Sequence, residues 1–251
     1  TRAELASEIN YRDRVVYAPN IISITQSGET ADVLVAMRKL KEMGCYLSVI
    51  TNARECSASR LADEVVYIHA GPEVSVAATK SFTAELIALY QMVLSSPGID
   101  PELKDRFMLE LRLLPNYVQQ VIDNDRAISE CAEFLAHFKD IFFIGRGINY
   151  PVALEGALKL KEISYLHADG YAAGELKHGP FSLLQPDTPV VAVVAPDKTY
   201  DSMLTNIKEV KSRKAPVIAL VSEEDQMVEK IVDFVIRVPY TINNFSPVVN
   251  T

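Results

Sequence analysis

The sequence has few cysteines, no long basic block and no long apolar run. Its three cysteines are an odd number without paired spacing, so neither a disulfide framework nor a thiolate metal site is predicted, and a reducing, cytoplasmic setting fits best. The net charge of -8 argues against nucleic-acid binding as the main activity. The apolar runs are too short for a membrane span, and the first residues lack the pattern of a signal peptide. The four histidines show no zinc spacing, so no metal and no cofactor are predicted.

What the sequence does contain is an alternation of short β-branched runs with longer amphipathic segments, which is typical of strands and crossover helices in a parallel sheet. Between the third and fourth strands lies a helix-rich stretch, 75–136, that is broken at 96–98 and at Pro115. A domain boundary is predicted inside this stretch, giving domains 1–122 and 123–251. The predicted strands, apolar throughout as buried parallel strands are, lie at 21–25, 46–51, 65–69, 141–145, 190–195, 217–221 and 234–238.

An internal repeat is the strongest structural inference, because residues 22–52 match residues 191–222 as strand, turn, helix and strand. Two copies of one α/β unit are therefore expected. The second copy also has an opening strand and helix before the matched segment, and too few residues precede the first copy to supply them. We therefore expect a piece of a longer protein, without the opening strand and most of the first helix of its first domain.

The turn at 25–30 suits a phosphate. It joins an apolar strand to a helix, whose first N–H groups are unpaired and whose dipole favours an anion. In the second copy, 195–197 replaces an amide and a hydroxyl with groups that cannot donate, so only the first copy is predicted to bind the anion. The alternative is ordinary capping, in which Ser27 or Thr30 bonds the first-turn amides and no ligand binds.

A charged stripe on a predicted helix at 151–165 is the second candidate. Glu155, Lys159 and Glu162 fall at i, i+4 and i+7, on one face. Such spacing usually means a solvated face with ion pairs. Here apolar neighbours surround the stripe, and charges on a largely buried helix need partners or a task, so a functional role is favoured.

The segment 167–180 combines glycines and titratable groups and is expected to be a loop between a helix and the next strand. A lone histidine is more often structural than catalytic, and we hold that expectation for His69, His137 and His167. His178, flanked by a lysine and by glycine and proline, is the better candidate for acid–base work near neutral pH.

Four segments carry a resemblance to a known family, and the match runs almost from end to end. They are residues 26–32, 76–83, 154–165 and 171–180. The chain resembles the sugar-isomerase half of the glutamine–fructose-6-phosphate aminotransferases, also called glucosamine-6-phosphate synthases. The resemblance implies an α/β fold of two flavodoxin-like sugar-isomerase (SIS) domains, each a parallel sheet with helices on both faces.

The resemblance also implies roles for individual residues. Glu162 moves a proton between C1 and C2 of the sugar, assisted by Lys159, and His178 opens the furanose ring from the neighbouring subunit of a homodimer. The family usually has serine where Ala78 stands, so one hydrogen bond to the sugar is lost or replaced. The resemblance also implies that the turn after the opening strand and a C-terminal tail are missing, so this chain by itself is expected to bind poorly and catalyse little. The residues assigned to the substrate are Thr25, Gln26, Ser27, Thr30 and Val76.

The implied partners are fructose 6-phosphate, glucosamine 6-phosphate and a glutaminase domain on the intact polypeptide, with no nucleic acid and no membrane. The implied reaction isomerises the ketose to an aldose while glutamine-derived ammonia is added, in the cytoplasmic biosynthesis of amino sugars that leads to UDP-N-acetylglucosamine. Two alternatives stay open: a non-catalytic module that senses sugar phosphates, and a related phosphosugar isomerase or deglycase.

Overall fold

The computed structural model describes residues 2–11 and 19–251. The chain divides into two compact units, Thr1–Gly98 and Ile99–Thr251. Each described unit contains a parallel β-sheet flanked by helices, so the predicted α/β fold is confirmed. No helix in the described ranges is long and apolar enough to cross a membrane.

The first unit is built around a three-stranded parallel sheet in the order β1-β2-β3. The central strand is almost wholly buried, as its run of apolar residues requires. The helix after the first strand buries Leu34, Met37 and Leu40 against this sheet. The described elements, in chain order, are α1 (Ala6–Ile9), β1 (Asn20–Ile24), α2 (Ala31–Glu42), β2 (Tyr46–Thr51), α3 (Ser57–Leu61), β3 (Glu64–Tyr67) and α4 (Lys80–Ser95).

The second unit has a five-stranded parallel sheet in the order β5-β4-β6-β7-β8. Its largest core cluster packs the inner strands against α8 through side chains such as Val190, Met203, Ile207 and Val217. The elements are α5 (Pro101–Asp123), α6 (Asp125–Leu135), β4 (Asp140–Gly145), α7 (Asn149–Ser164), β5 (His167–Ala172), β6 (Val190–Val194), α8 (Tyr200–Ser212), β7 (Val217–Ser222), β8 (Phe234–Val238) and α9 (Ser246–Asn250).

The strand order agrees with the predicted repeat. In the first unit β1 pairs with β2 and β2 with β3, and in the second unit β6, β7 and β8 pair in the same way. A single helix, α2 or α8, connects the first two strands of each set. The second unit carries β4 beside β6 and β5 beyond it, so the repeated part is the three-stranded half of its sheet.

Two local predictions were wrong. Residues 167–172 form the strand β5 and not a loop, and they pair in parallel with β4. Small residues fit there because α7 lies close: a Cβ atom on Gly170 would lie 2.8 Å from the Cα atom of Leu154. Pro115 does not break the chain's helix either, since α5 continues through it. The predicted break at 96–98 is present, and Asp100 caps the helix that follows.

The compact units divide earlier than the predicted domain boundary after residue 122. The difference is α5, which contacts α9 and β8 of the second unit. The ring of Phe107 on α5 packs edge-on against Phe245, with 5.5 Å between the ring centroids. This contact assigns α5 to the second compact unit.

Candidate functional site

The turn at 25–30 is ordered by its own hydroxyl groups. Thr25 is buried, and its Oγ1 atom accepts a hydrogen bond from the Gly28 N–H at 3.2 Å. The same Oγ1 atom lies 3.4 Å from Oγ1 of Thr30. The Ser27 hydroxyl accepts from the Glu29 N–H at 3.2 Å, and Ser27 and Thr30 are exposed. The turn therefore exposes the hydroxyl groups of Ser27 and Thr30 to solvent, and the buried Thr25 side chain holds its backbone.

Glycine is required at position 28 for two reasons. Its φ of +69° lies in the left-handed region, which favours glycine. A Cβ atom there would also lie 2.1 Å from the Sγ atom of Cys56. The carbonyl of Gly28 accepts a hydrogen bond from the Ala58 N–H at 3.0 Å. The segment after β2 is thus packed directly against the turn.

The same segment, 51–58, holds the rest of the turn. The Gln26 carbonyl accepts from the Asn52 N–H at 3.1 Å and from the Thr51 hydroxyl at 3.3 Å. The Glu29 carboxylate accepts from the Ser57 N–H at 2.7 Å, and this bond holds the pKa of that carboxyl below its usual value. Glu29 is thereby engaged by the neighbouring segment. Sequence reasoning missed these supporting residues, because only their position at the end of the next strand connects them to the turn.

The capping alternative is not what the structure shows. Thr30 is the N-cap residue of α2, with extended backbone, yet in the described part of the chain its side chain makes no capping bond. The Ser27 hydroxyl bonds the amide of Glu29, which precedes the helix. The first N–H groups of an α-helix lack intrahelical partners. The N-terminus of α2 therefore retains the donors and the dipole that an anion would use.

The counterpart of this turn in the second unit is blocked by its own carboxylate. Asp197 Oδ1 accepts from the Thr199 N–H at 2.7 Å and from the Thr199 hydroxyl at 2.6 Å. An anion there would meet a negative charge that already occupies the local donors. This arrangement supports the interpretation that only the first copy suits a phosphate.

Val76 lies in the irregular segment between β3 and α4. Its side chain is 93% exposed, and that of Val74 is equally exposed. Ala77 beside it is fully buried. The segment is therefore packed against the unit at Ala77 and exposed to solvent at Val74 and Val76. The turn and Val76 both belong to the first unit.

The charged residues of α7 form a shared ion pair. Lys159 Nζ lies 2.7 Å from Glu155 Oε1 and 3.5 Å from Glu162 Oε2. The side chains of Lys159 and Glu155 are 20% and 14% exposed, so the pair is largely shielded from water. Glu162 Oε2 is buried and has no hydrogen-bond partner within the described residues. The predicted stripe therefore places the Lys159 ammonium group between two carboxylates, and the Glu162 oxygen forms the longer of the two ion pairs.

The apolar surroundings predicted for this stripe are only partly present. Val152, Ala153 and Ala157 are buried, and a Cβ atom on Gly156 would lie 2.9 Å from the ring of Phe143. Three larger apolar residues of the helix are exposed, Leu154 by 41%, Leu158 by 42% and Ile163 by 62%, whereas Leu160 is partly buried against the core. The helix is thus buried mainly along its small residues, against the sheet, and the expectation of a largely buried helix was wrong for those three side chains.

His178 follows a short 3-10 turn at Glu175–Lys177 and is exposed. No ion pair or hydrogen bond joins its side chain to Lys159 or Glu162 in the ranges that the structure describes. Its neighbour Lys177 pairs with Glu209 of α8 at 2.7 Å. Among the predicted residues of the second unit, the structure therefore brings Lys159 and Glu162 together and leaves His178 open to solvent.

A polar network fixes the segment that carries His178. Arg146 donates to Asn206 at 2.9 Å, and Asn206 donates to Glu209 at 3.0 Å. The hydrogen bond from Lys177 is the main cause that holds the pKa of Glu209 below its usual value. A Cβ atom on Gly174 would lie 2.8 Å from the Arg146 guanidinium, so glycine permits this close approach. Spacing alone could not reveal these partners, since α8 follows in sequence after a full strand.

One of the other histidines has a clear structural partner. His167 begins β5, and its Nδ1 atom lies 2.9 Å from Asp140 Oδ1 at the start of the adjacent strand. Within the described residues, no group of three or more histidine, cysteine or acidic side chains is arranged to hold a metal ion.

Comparison with known proteins gives a consistent result. The SIS domain family model matches residues 4–95 and 134–248. The glutamine–fructose-6-phosphate aminotransferase (isomerizing) of Methanosarcina acetivorans is 47% identical over 98% of this chain and 41% of its own length, and that of Thermococcus kodakarensis is 42% identical over 98% and 42%. The chain therefore spans about two fifths of the length of these curated relatives.

Solved structures agree with the sequence comparison. The C-terminal domain of glucosamine-fructose-6-phosphate aminotransferase from Francisella tularensis is 38% identical and superimposes with a TM-score of 0.92, over 98% of this chain and 71% of that one. The tagatose-6-phosphate ketose/aldose isomerase of Escherichia coli, at 21% identity and a TM-score of 0.71 over 92% of this chain and 65% of that one, shares the fold. The chain belongs to the SIS domain family, and within it to the glutamine–fructose-6-phosphate aminotransferases.

Proposed function

We propose that this chain is the isomerase part of a protein that binds fructose 6-phosphate and isomerises the ketose to an aldose during the formation of glucosamine 6-phosphate with glutamine-derived ammonia. The observation that carries the proposal is the turn at 25–30, whose exposed hydroxyls leave the N-terminus of α2 uncapped. A phosphate is the ligand that such a helix start and such hydroxyls favour. The names of the relatives supply the sugar.

In the proposed binding mode, the turn receives the phosphate and the segment after β3 contacts the sugar. Thr25 closes the turn from inside and orients the hydroxyl of Thr30. Because Glu29 is engaged by Ser57, its charge is partly compensated beside the bound anion. The proposed ligands are Thr25, Gln26, Ser27, Thr30 and Val76.

In the proposed reaction, Glu162 removes a proton from C1 of the ketose and returns it to C2 of the forming aldose. One carboxylate suffices for such a shift when water is excluded from it. Its Oε2 atom is buried and accepts no hydrogen bond within the described residues, and Lys159 lies 3.5 Å away as its ion-pair partner. Lys159 stabilises the negative charge that develops on the sugar oxygen. His178 would act earlier, as the acid and base that opens the furanose ring.

Further proposals concern the whole protein. We propose that 1–122 and 123–251 are the two SIS domains of a longer cytoplasmic polypeptide that carries a glutaminase domain. We also propose that it forms a homodimer in which each subunit supplies His178 to its neighbour. The exposed position of this histidine supports that last proposal. The glucosamine 6-phosphate that the whole protein forms would enter the pathway to UDP-N-acetylglucosamine.

Titration calorimetry of the full-length protein with fructose 6-phosphate and glucosamine 6-phosphate tests the binding. We expect Ser27→Ala and Thr30→Val each to weaken binding by about five- to tenfold, because each removes a hydrogen bond to a charged group. The matched control is Thr199→Val, which removes the corresponding hydroxyl of the second copy, where Asp197 occupies it. Binding that is absent, or that the two first-copy variants leave unchanged, would contradict the sugar-phosphate assignment.

Proton exchange separates an enzyme from a sensing module. An isomerase should exchange the proton at C1 or C2 of the bound sugar with deuterium from the solvent. Sugar binding without any exchange in the wild-type protein would instead favour the non-catalytic sensing module.

A further inference from the structure

Glu73 accepts four hydrogen bonds from two residues at the start of α4. Its Oε1 atom accepts from the Thr79 hydroxyl at 3.0 Å. Its Oε2 atom accepts from the Thr79 N–H at 3.3 Å, from the Ser81 N–H at 3.1 Å and from the Ser81 hydroxyl at 2.6 Å. Three of these donors share Oε2 and one binds Oε1, so both oxygens of the carboxylate are engaged by the loop.

These bonds close a loop at the start of α4. Thr79 is the N-cap residue of that helix, but its side chain makes no capping bond and instead donates to Glu73. Glu73 therefore caps the helix from outside, and its charge lies near the positive end of the helix dipole. Ser81 is fully buried, so its bonds to Glu73 are partly shielded from water, while Thr79 is exposed.

The loop that Glu73 closes is the one that carries Val76. Between the closing residues, Val74 and Val76 are each 93% exposed, while Ala77 is fully buried. Residues with so few side-chain contacts would move freely without an anchor, and ordering them would then reduce the free energy of ligand binding. The carboxylate supplies the anchor that the exposed side chains lack.

We propose that Glu73 is a positioning residue for sugar binding: it closes the loop 73–81 and holds the backbone of 74–78 in the form that receives the sugar. Its oxygens are occupied by donors of the loop, so it acts through the loop and not on the substrate. The inference rests on the proposed function, because Val76 is a proposed sugar contact.

The test compares Glu73→Ala and Glu73→Gln with wild type in the full-length protein. Calorimetry with fructose 6-phosphate should show binding weakened more than about tenfold by Glu73→Ala and less by Glu73→Gln, which keeps one acceptor oxygen. In steady-state kinetics the loss should raise KM and leave kcat nearly unchanged, since the residue does not touch the reacting atoms. Amide hydrogen exchange at 74–79 should become faster in both variants.

The matched control is Asp100→Ala. Asp100 caps α5 in the second unit, accepting from the Leu103 N–H at 2.9 Å, so its loss removes a helix cap without touching the loop. A purely structural role would lower the unfolding midpoint of the Glu73 and Asp100 variants alike and leave sugar affinity intact. Unchanged affinity and KM in Glu73→Ala would therefore overturn the inference while wild-type binding upheld the proposed function. Absence of binding by wild type would overturn both.

Discussion

Gly28 and Cys56 approach each other so closely that no side chain fits between them. A Cβ atom on residue 28 would lie 2.1 Å from the sulfur and 2.6 Å from the Cβ atom of Cys56. The backbone of Gly28 is also left-handed. We expect Gly28→Ala to reduce the free energy of unfolding by about 2–5 kcal/mol, the sum of a left-handed alanine and an overpacked contact.

The control for this variant is Gly44→Ala. Gly44 also has a positive φ, +81°, but nothing lies within 4 Å of its missing Cβ atom. Only the backbone cost of about 1–2 kcal/mol should remain. Urea unfolding measures both variants, and equal losses would show that the contact with Cys56 contributes nothing. Sugar-phosphate binding should fall in Gly28→Ala and not in Gly44→Ala.

Substitution of Glu162 should mainly reduce the rate of proton exchange, whereas substitution of Glu155 should mainly reduce the free energy of unfolding. Glu162→Gln keeps the size of the side chain but cannot accept the proton, so solvent exchange at C1 or C2 should fall by at least about a hundredfold while sugar binding persists. The unfolding midpoint should fall only slightly, because the Glu162 Oε2 atom accepts no hydrogen bond within the described residues and its ion pair with Lys159, at 3.5 Å, is the longer of the two. Deuterium incorporation followed by NMR is the measurement. Unchanged exchange would remove Glu162 from the proposed role.

Glu155→Gln is the matched variant on the same helix face. It removes the closer partner of Lys159, at 2.7 Å, and should reduce the free energy of unfolding by about 1–3 kcal/mol, as expected for a shielded hydrogen bond to a charged group. A melting curve like that of wild type would show that the ion pair contributes little.

The stability of the first unit should depend on pH through Glu73. The hydrogen bonds from Ser81 and Thr79 lower the pKa of Glu73 from 4.5 to about 2. A carboxyl whose pKa is lowered by folding stabilises the native state fully above its unfolded value, and this contribution is lost as the pH falls from about 4.5 towards 2. The difference in unfolding free energy between wild type and Glu73→Ala should therefore be larger at pH 7 than at pH 3.

Ser81→Ala is the control for this pH dependence. It removes the donor of the 2.6 Å bond while keeping the carboxyl, so the pKa should move back towards its ordinary value and the pH dependence should weaken. Urea titrations at the two pH values decide the matter. A pH dependence identical in wild type and both variants would contradict the assignment to Glu73.

The polar network at α8 should hold the segment that carries His178. Glu209→Ala removes the partner of Lys177 and of Asn206, and we expect a loss of about 1–2 kcal/mol with faster amide exchange at 174–179. The control is Glu130→Ala, which breaks an exposed pair with Arg126 on α6 and should change stability by less than about 0.5 kcal/mol. Equal exchange at 174–179 in both variants would contradict the coupling.

The sequence was sufficient for most of the fold because its buried strands are apolar throughout. All seven predicted strands are present, with ends displaced by no more than two residues. β5 was not predicted because it packs beneath α7 through small residues. Glycine is unfavourable in strands and therefore weakens the sequence pattern of a strand, yet Gly170 is what allows α7 to lie this close to β5. The exposed faces of Leu154 and Leu158 could not be foreseen either, since periodicity shows which residues share a face and not what covers it.

The candidate site was predicted where neighbours in sequence are neighbours in space. The spacing of Lys159 and Glu162 within one helix implied their contact directly. The support that Thr51 and Cys56 give to the turn depends on strand order, and no local pattern encodes it. The same is true of Arg146 and Glu209, which are linked by hydrogen bonds through Asn206 of α8.

The sharing of Lys159 between two carboxylates has a consequence for charge balance. Together with its two partners the lysine sums to one negative charge. If Glu162 takes up a proton, the sum becomes zero and not one positive, because Glu155 still neutralises the ammonium group. Uptake of a proton by Glu162, as in the proposed reaction, would therefore not leave an isolated cation in a shielded place, where an unpaired charge is unfavourable. Glu155 would remain beside Lys159 as the counterion of its ammonium group.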